Sequence, residues 1–190
     1  MAGSLKRMRW KLAVPAVVLV AVLGFGLYWF APWRLFTDTT VHEALTAPTG
    51  PTATGQAQGG AVATQSGTAA PVVVAPVVVA SGTFVTHEHE TSGTARLVRA
   101  ADGTHRLEIA GLSTSDGPDL RVWLTDQPVV AGKAGWSVFD DGRYVELGRL
   151  KGNKGDQAYA IPAGTDLASL RSVTIWCKRF SVSFGAAQLA

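Results

Sequence analysis

The chain of 190 residues contains a single cysteine, Cys177, so it can form no internal disulfide. That excludes a disulfide-stapled secreted scaffold and any Cys-rich zinc or iron–sulfur spacing. No Cys-x-x-Cys-His stretch exists, which removes covalent c-type haem attachment. The two methionines, Met1 and Met8, sit at the N-terminus, and no His or Met follows Cys177. A blue-copper ligand set, which wants two His, one Cys and usually an axial Met, is therefore incomplete. A Gly-x-Ser-x-Gly elbow is missing. Gly152-Asn-Lys-Gly155 has neither Walker spacing nor a following helix, and reads as a tight turn. The pairs Asp116/Asp119 and Asp140/Asp141 fit no EF-hand and read as turn-capping aspartates. With no hydrolase or nucleotide-binding signature and no metal site in view, the chain is at most a redox accessory domain, and its status as an enzyme stays open.

Charge is scarce and unevenly placed. Residues 1–36 carry five Lys/Arg and no acid, residues 37–80 carry two acids and no base, and residues 81–190 carry twelve of each. The basic excess belongs to the N-terminus alone. The remainder lacks the clustered cations that a phosphate backbone requires, so no nucleic-acid partner is expected.

Leu12 to Phe30 runs nineteen residues without a charge. As a helix rising ~1.5 Å per residue it spans about 28 Å, close to the hydrocarbon thickness of a bilayer. Pro15 is expected in its first turn, where the missing N–H costs least. Tyr28, Trp29 and Trp33 gather at the far end, as in an interfacial aromatic belt, and Lys6, Arg7, Arg9 and Lys11 precede the span against Arg34 after it. These features predict a single-pass cell-membrane anchor with a cytoplasmic N-terminus and an extracytoplasmic C-terminal domain. Gly24-Phe25-Gly26 offers a small-x-small signal cleavage site, but the apolar run continues past it, which favours an uncleaved anchor. The expected organisation is a basic cytoplasmic N-terminus (1–11), a transmembrane anchor (12–33), a linker (34–80) and a β domain (81–190).

Between residues 37 and 80 the composition turns to Thr, Ala, Gly, Pro, Gln and Val, without aromatics. Such a segment buries too little to offset chain entropy, and reads as a flexible tether. Thr39 to Leu45 could add one short helical turn within it. Pro71-Val-Val-Val-Ala repeats at Pro76 and reads as extended chain. From Ser81 short runs alternate with turn signals. Candidate strands are Gly82–His87, Thr94–Arg99, His105–Ala110, Leu120–Leu124, Tyr144–Leu150, Gln157–Ile161, Ser172–Cys177 and Phe180–Phe184. With no long amphipathic helix, the fold class is all-β: a sandwich-like domain of about eight short strands behind one transmembrane helix and a flexible linker.

Ordered motifs then suggest a relationship. Gly82-Thr-Phe84, His89-Glu-Thr-Ser-Gly-Thr-Ala95 and Asp116-Gly-Pro-Asp-Leu-Arg-Val-Trp-Leu124 are followed by Leu147-Gly-Arg-Leu-Lys-Gly-Asn-Lys-Gly-Asp-Gln-Ala-Tyr159 and Ile161-Pro162. Ser172-Val-Thr-Ile-Trp-Cys177 and Phe180-Ser-Val-Ser-Phe-Gly-Ala186 complete the series. Together these resemble the DM thirteen domain, also described as the electron-transfer DM thirteen domain, found alone in bacteria and beside DOMON and b-type cytochrome domains in animals. The resemblance covers roughly residues 80–190. It implies redox or electron transfer centred on the family's cysteine, which corresponds to Cys177, and a redox partner protein. The Ala/Val/Gly/Thr-rich composition fits a bacterial source.

The residues themselves leave two readings open. Cys177 alternates in phase with Val173 and Ile175, so its side chain is expected to point inward as a small hydrophobe. A redox thiol or cofactor ligand would need a nearby positive charge, which Lys178 and Arg179 could supply. His87 and His89, two apart, would share one strand face and could hold a metal or an axial haem position with Cys177, or be solvated edge histidines beside Glu88 and Glu90. The cofactor is thus unknown, with haem or metal through Cys177 and His89 as the schemes to test. Trp123, Trp136, Trp176 and Tyr159 read as structural. Against electron transfer stands a non-catalytic extracellular binding or adhesion module with Cys177 as core. A third reading, an intermolecular disulfide through Cys177, is disfavoured by an inward cysteine.

Overall fold

A computed structural model describes residues 2–47 and 75–190. Helix α1 (Ala2–Phe30) opens the chain and contains the one described helix long and apolar enough to cross a membrane. It begins well before Leu12, so Pro15 lies inside it and not in its first turn. A short 3-10 helix at Pro32–Phe36 follows.

Nine strands build the rest: β1 (Thr40–His42), β2 (Val77–Thr86), β3 (Ser92–Arg99), β4 (His105–Ser113), β5 (Leu120–Thr125), β6 (Tyr144–Arg149), β7 (Lys154–Ala160), β8 (Ser172–Cys177) and β9 (Val182–Gln188). They form one curled sheet in the order β1-β7-β4-β3-β2-β9-β8-β5-β6. The hinge of the curl is β2. Its first part, Val77–Thr83, pairs antiparallel with β3, and Phe84–Thr86 pair with β9. The two halves then close on one core, to which Leu107 and Ile109 of β4, Val122 and Leu124 of β5, and Val173, Ile175 and Cys177 of β8 all contribute. The all-β domain behind a helix is as expected.

β8 is buried at all six positions. Its inner face meets the main core. Its outer face, with Trp123 and Ala186 of neighbouring strands, forms a second cluster under Phe139, Val129 and Val138 of the loop between β5 and β6. A strand covered on both sides loses the polar face of an edge strand, which places Trp176 opposite Cys177 yet equally buried.

The linker expectation changes in part. Thr40–His42 form no helical turn but a strand, parallel to Lys154–Asp156 of β7. The neighbouring residues are tied down as well. Asn153 receives the Thr39 amide (2.7 Å) and donates to Asp38 (2.7 Å). Lys151 Nζ donates to Glu43 at 2.7 and 2.9 Å, and both the amide and the hydroxyl of Thr46 donate to Glu108 (2.9 and 2.8 Å). Residues 37–46 are thus a strap along the domain. Residues 48–74, including Pro71–Val74 of the first Pro-Val-Val-Val-Ala copy, lie outside the described residues.

Candidate functional site

Cys177 closes β8. Its register partners are Leu120 on β5 and Val182 on β9, and the side chain has no exposed surface. The turn that follows is tight. The Phe180 amide donates to the Cys177 carbonyl (3.2 Å), the Lys178 amide to the Asp119 carbonyl (2.9 Å), and Ser181 takes a positive φ of 49°. Burial pushes the thiol pKa above its ordinary value against the opposing backbone amides of Phe180, Arg179 and Asp119, and the Glu88 charge adds least to the rise. Cys177 is therefore a neutral thiol at physiological pH, not an activated thiolate.

The two following cations serve other groups. Lys178 reaches Glu146 (3.2 Å). Arg179 donates to the Trp29 carbonyl (2.6 Å) and lies 5.2 Å over the Trp29 ring. The positive charge expected beside the sulfur is spent on a carboxylate and on the end of α1.

His87 and His89 do not share a face. β2 ends at Thr86, and the bend that follows breaks the two-residue alternation. His87 turns to the outer side of β9 and is buried. Its Nε2–H donates to the Val130 carbonyl (3.1 Å), which leaves Nδ1 to accept from the Ser183 hydroxyl (2.8 Å). That hydroxyl also meets Thr174 Oγ1 (2.8 Å), and the imidazole packs 5.7 Å from the Phe139 ring. Burial lowers the His87 pKa, with the Val130 hydrogen bond opposing. His89 is half-buried with its ring 3.9 Å from that of Phe184, a member of the core cluster that holds Cys177. Burial lowers its pKa too, against the Glu88 charge, whose carboxylate lies 3.8 Å from Nε2.

The structure thus brings Cys177, Glu88 and His89 to one end and one side of β9, and leaves His87 on the other side. Among the described residues, no three His, Cys, Asp or Glu side chains converge as metal ligands would. Cys177 is sealed, and both His87 nitrogens are occupied. These residues do not fit a resident metal or ligated haem. Three roomier clefts, of about 620, 480 and 630 Å³, are lined by none of the three residues.

Two arrangements had no sequence signal. Trp176, the chain neighbour of Cys177, stacks on Trp123 (5.1 Å), which stacks nearly parallel on Tyr144 (3.9 Å, 7°) at the surface. The Trp123 indole N–H donates to Glu146 (3.3 Å). The second is an Arg96–Glu108–Arg106 triad around the buried Glu108, with contacts of 2.9 and 2.7 Å. Both depend on cross-strand neighbours that only the pairing of distant segments creates.

Compared with known proteins, residues 83–189 match a family model described as "Electron transfer DM13", and this stretch contains Cys177, His87 and His89. No curated protein and no solved structure matches the chain.

Proposed function

We propose that this chain, which belongs to the electron transfer DM13 family, is a membrane-anchored redox accessory domain in which Cys177 is the redox-sensitive residue. The family match over residues 83–189 carries the reading. An apolar helix of bilayer length before the domain supports anchoring. The excess of Lys and Arg ahead of that helix supports a cytoplasmic N-terminus and an extracytoplasmic domain, and the family match supports a partner that is itself a redox protein.

In this reading Cys177 works as a shielded thiol. Burial holds it protonated and keeps solutes from the sulfur, so its chemistry needs the Lys178–Ser181 turn or the Glu88–His89 bend to open. His89, packed on Phe184 at the rim of the same core, is the residue placed to respond to such an opening.

One observation favours a second reading. A fully buried, neutral cysteine is what a core filler looks like, and a non-catalytic binding module would have one. The test compares the purified full chain with Cys177→Ser by visible absorbance, elemental analysis and reversible oxidation and reduction. A reversible thiol titration in the folded chain, lost in Cys177→Ser, supports the shielded redox thiol, whereas a chromophore or metal lost in Cys177→Ser would overturn it in favour of a ligand role. A colourless, metal-free chain whose thiol reacts only after unfolding leaves the binding module.

A further inference from the structure

We infer that the Cys177 end of the β domain rests on the lipid surface, with the Lys178–Ser181 turn and the Pro32–Phe36 segment packed among the headgroups. This rests on the membrane-anchor reading above.

No slack separates helix from domain. α1 ends at Phe30, and within four residues Arg34 contacts Asp116 (3.5 Å) and donates to the Gly117 carbonyl (3.3 Å). Thr37 donates to Asp116 (3.1 Å), and the strap is pinned from there on. The turn itself grips the helix. Arg179 donates to the Trp29 carbonyl and more weakly to that of Tyr28 (3.4 Å), in the last turn, where carbonyls lack intrahelical partners and favour a cation. The Phe180 ring stacks on Phe30 at 5.8 Å.

The surface so assembled is aromatic and open. Phe180 is 41% exposed, Trp33 52% and Phe36 89%, and Phe180 joins the exposed apolar end of α1 through its stack on Phe30. In water such a patch is unfavourable, whereas aromatic rings at the headgroup level are stabilised. Continuity with the span identifies the occupant as lipid. Strand directions give the consequence: the C-terminal end of β8, the start of β9 and the Glu88–His89 bend face the membrane, whereas the Pro162–Gly164 turn after β7 is at the far end. A protein partner approaching Cys177 must then lie in or on the bilayer.

The test uses the full chain in phosphatidylcholine nanodiscs, with a fluorophore on single introduced cysteines and nitroxide-bearing lipids as quenchers. The variants are Val20→Cys in the helix, Ser181→Cys in the turn and Ala163→Cys at the far end. The unsubstituted chain, whose Cys177 is buried, gives the labelling background. Expected is strong quenching at 20 by deep nitroxides, severalfold stronger quenching at 181 than at 163 by headgroup nitroxides, and little at 163. Quenching at 20 with equal, weak quenching at 181 and 163 would overturn the docked surface and leave the anchor standing. No quenching at 20 would overturn the anchor itself, and this inference with it.

Discussion

Gly155 lies directly beneath the backbone of Val41: a Cβ built on residue 155 would fall on the Val41 carbonyl, and Gly155 has a φ of +92° that L side chains rarely adopt. Gly152 stands in the same relation to Thr39. The Gly-Asn-Lys-Gly motif does more than turn the chain between β6 and β7. Its two glycines let the strap approach, and Asn153 between them holds the strap by its side-chain amide. Gly155→Ala is expected to cost about 1–3 kcal/mol from backbone strain and collision. Hydrogen exchange would show it as faster exchange at residues 40–43, with the β8 amides protected as before.

The inner face of β8 could be read directly, because Val173, Ile175 and Cys177 alternate and the strand ends at Cys177 as the pattern predicts. The motif order also pointed to the family. The strap could not be read. Three residues of strand carry no periodicity, and what fixes them is pairing with β7 more than a hundred positions away. The histidines misled for a related reason: alternation is valid only inside a strand, and β2 stops one residue before His87. Lys178 and Arg179 sit beside Cys177 in sequence, but their partners, Glu146 and the end of α1, are set by tertiary packing.

Glu108 is a second fastening point for the strap. Its side chain is fully buried on β4 and bonded to Arg96, Arg106 and Thr46. Burial by itself would raise its pKa, but the hydrogen bonds from Thr46 and Arg106 and the Arg106 charge outweigh burial and hold it below 4.5. Its contribution is present above pH 4.5 and lost as pH falls through the lowered folded value. Glu108→Gln would leave two guanidinium groups facing each other. The expected loss is about 3 kcal/mol by denaturant titration, the low end for breaking a buried pair because Arg106 reaches solvent. Thr46→Val removes the hydroxyl's bond to Glu108 and the one it accepts from Arg106, and should cost about 1–3 kcal/mol.

The burial of Cys177 sets how its thiol reacts. Alkylation in native buffer is expected to be slow but, at low denaturant, faster than global unfolding, because local opening of the Lys178–Ser181 turn or the Glu88–His89 bend exposes the thiol. Glu88→Gln should change that rate little, since burial is the larger cause of the raised pKa and the Glu88 charge the smaller. Labelling that tracks only global unfolding would instead make Cys177 a core residue and leave the binding module.

His87 makes the domain sensitive to mild acid. Its neutral ring is held between the Val130 carbonyl and the Ser183 hydroxyl beside Phe139, and its folded pKa lies below 6.5 because of burial. The unfolded chain therefore takes up the proton first as pH falls, so the stability His87 confers is complete above pH 6.5 and declines as pH drops toward the folded value. His89 acts in the same direction, with the Glu88 charge opposing its shift. Melting temperatures measured from pH 7.5 to 5 should fall for the unsubstituted domain and fall less steeply for His87→Gln. An equal slope in both would place the acid sensitivity elsewhere, with His89→Gln as the next variant to measure.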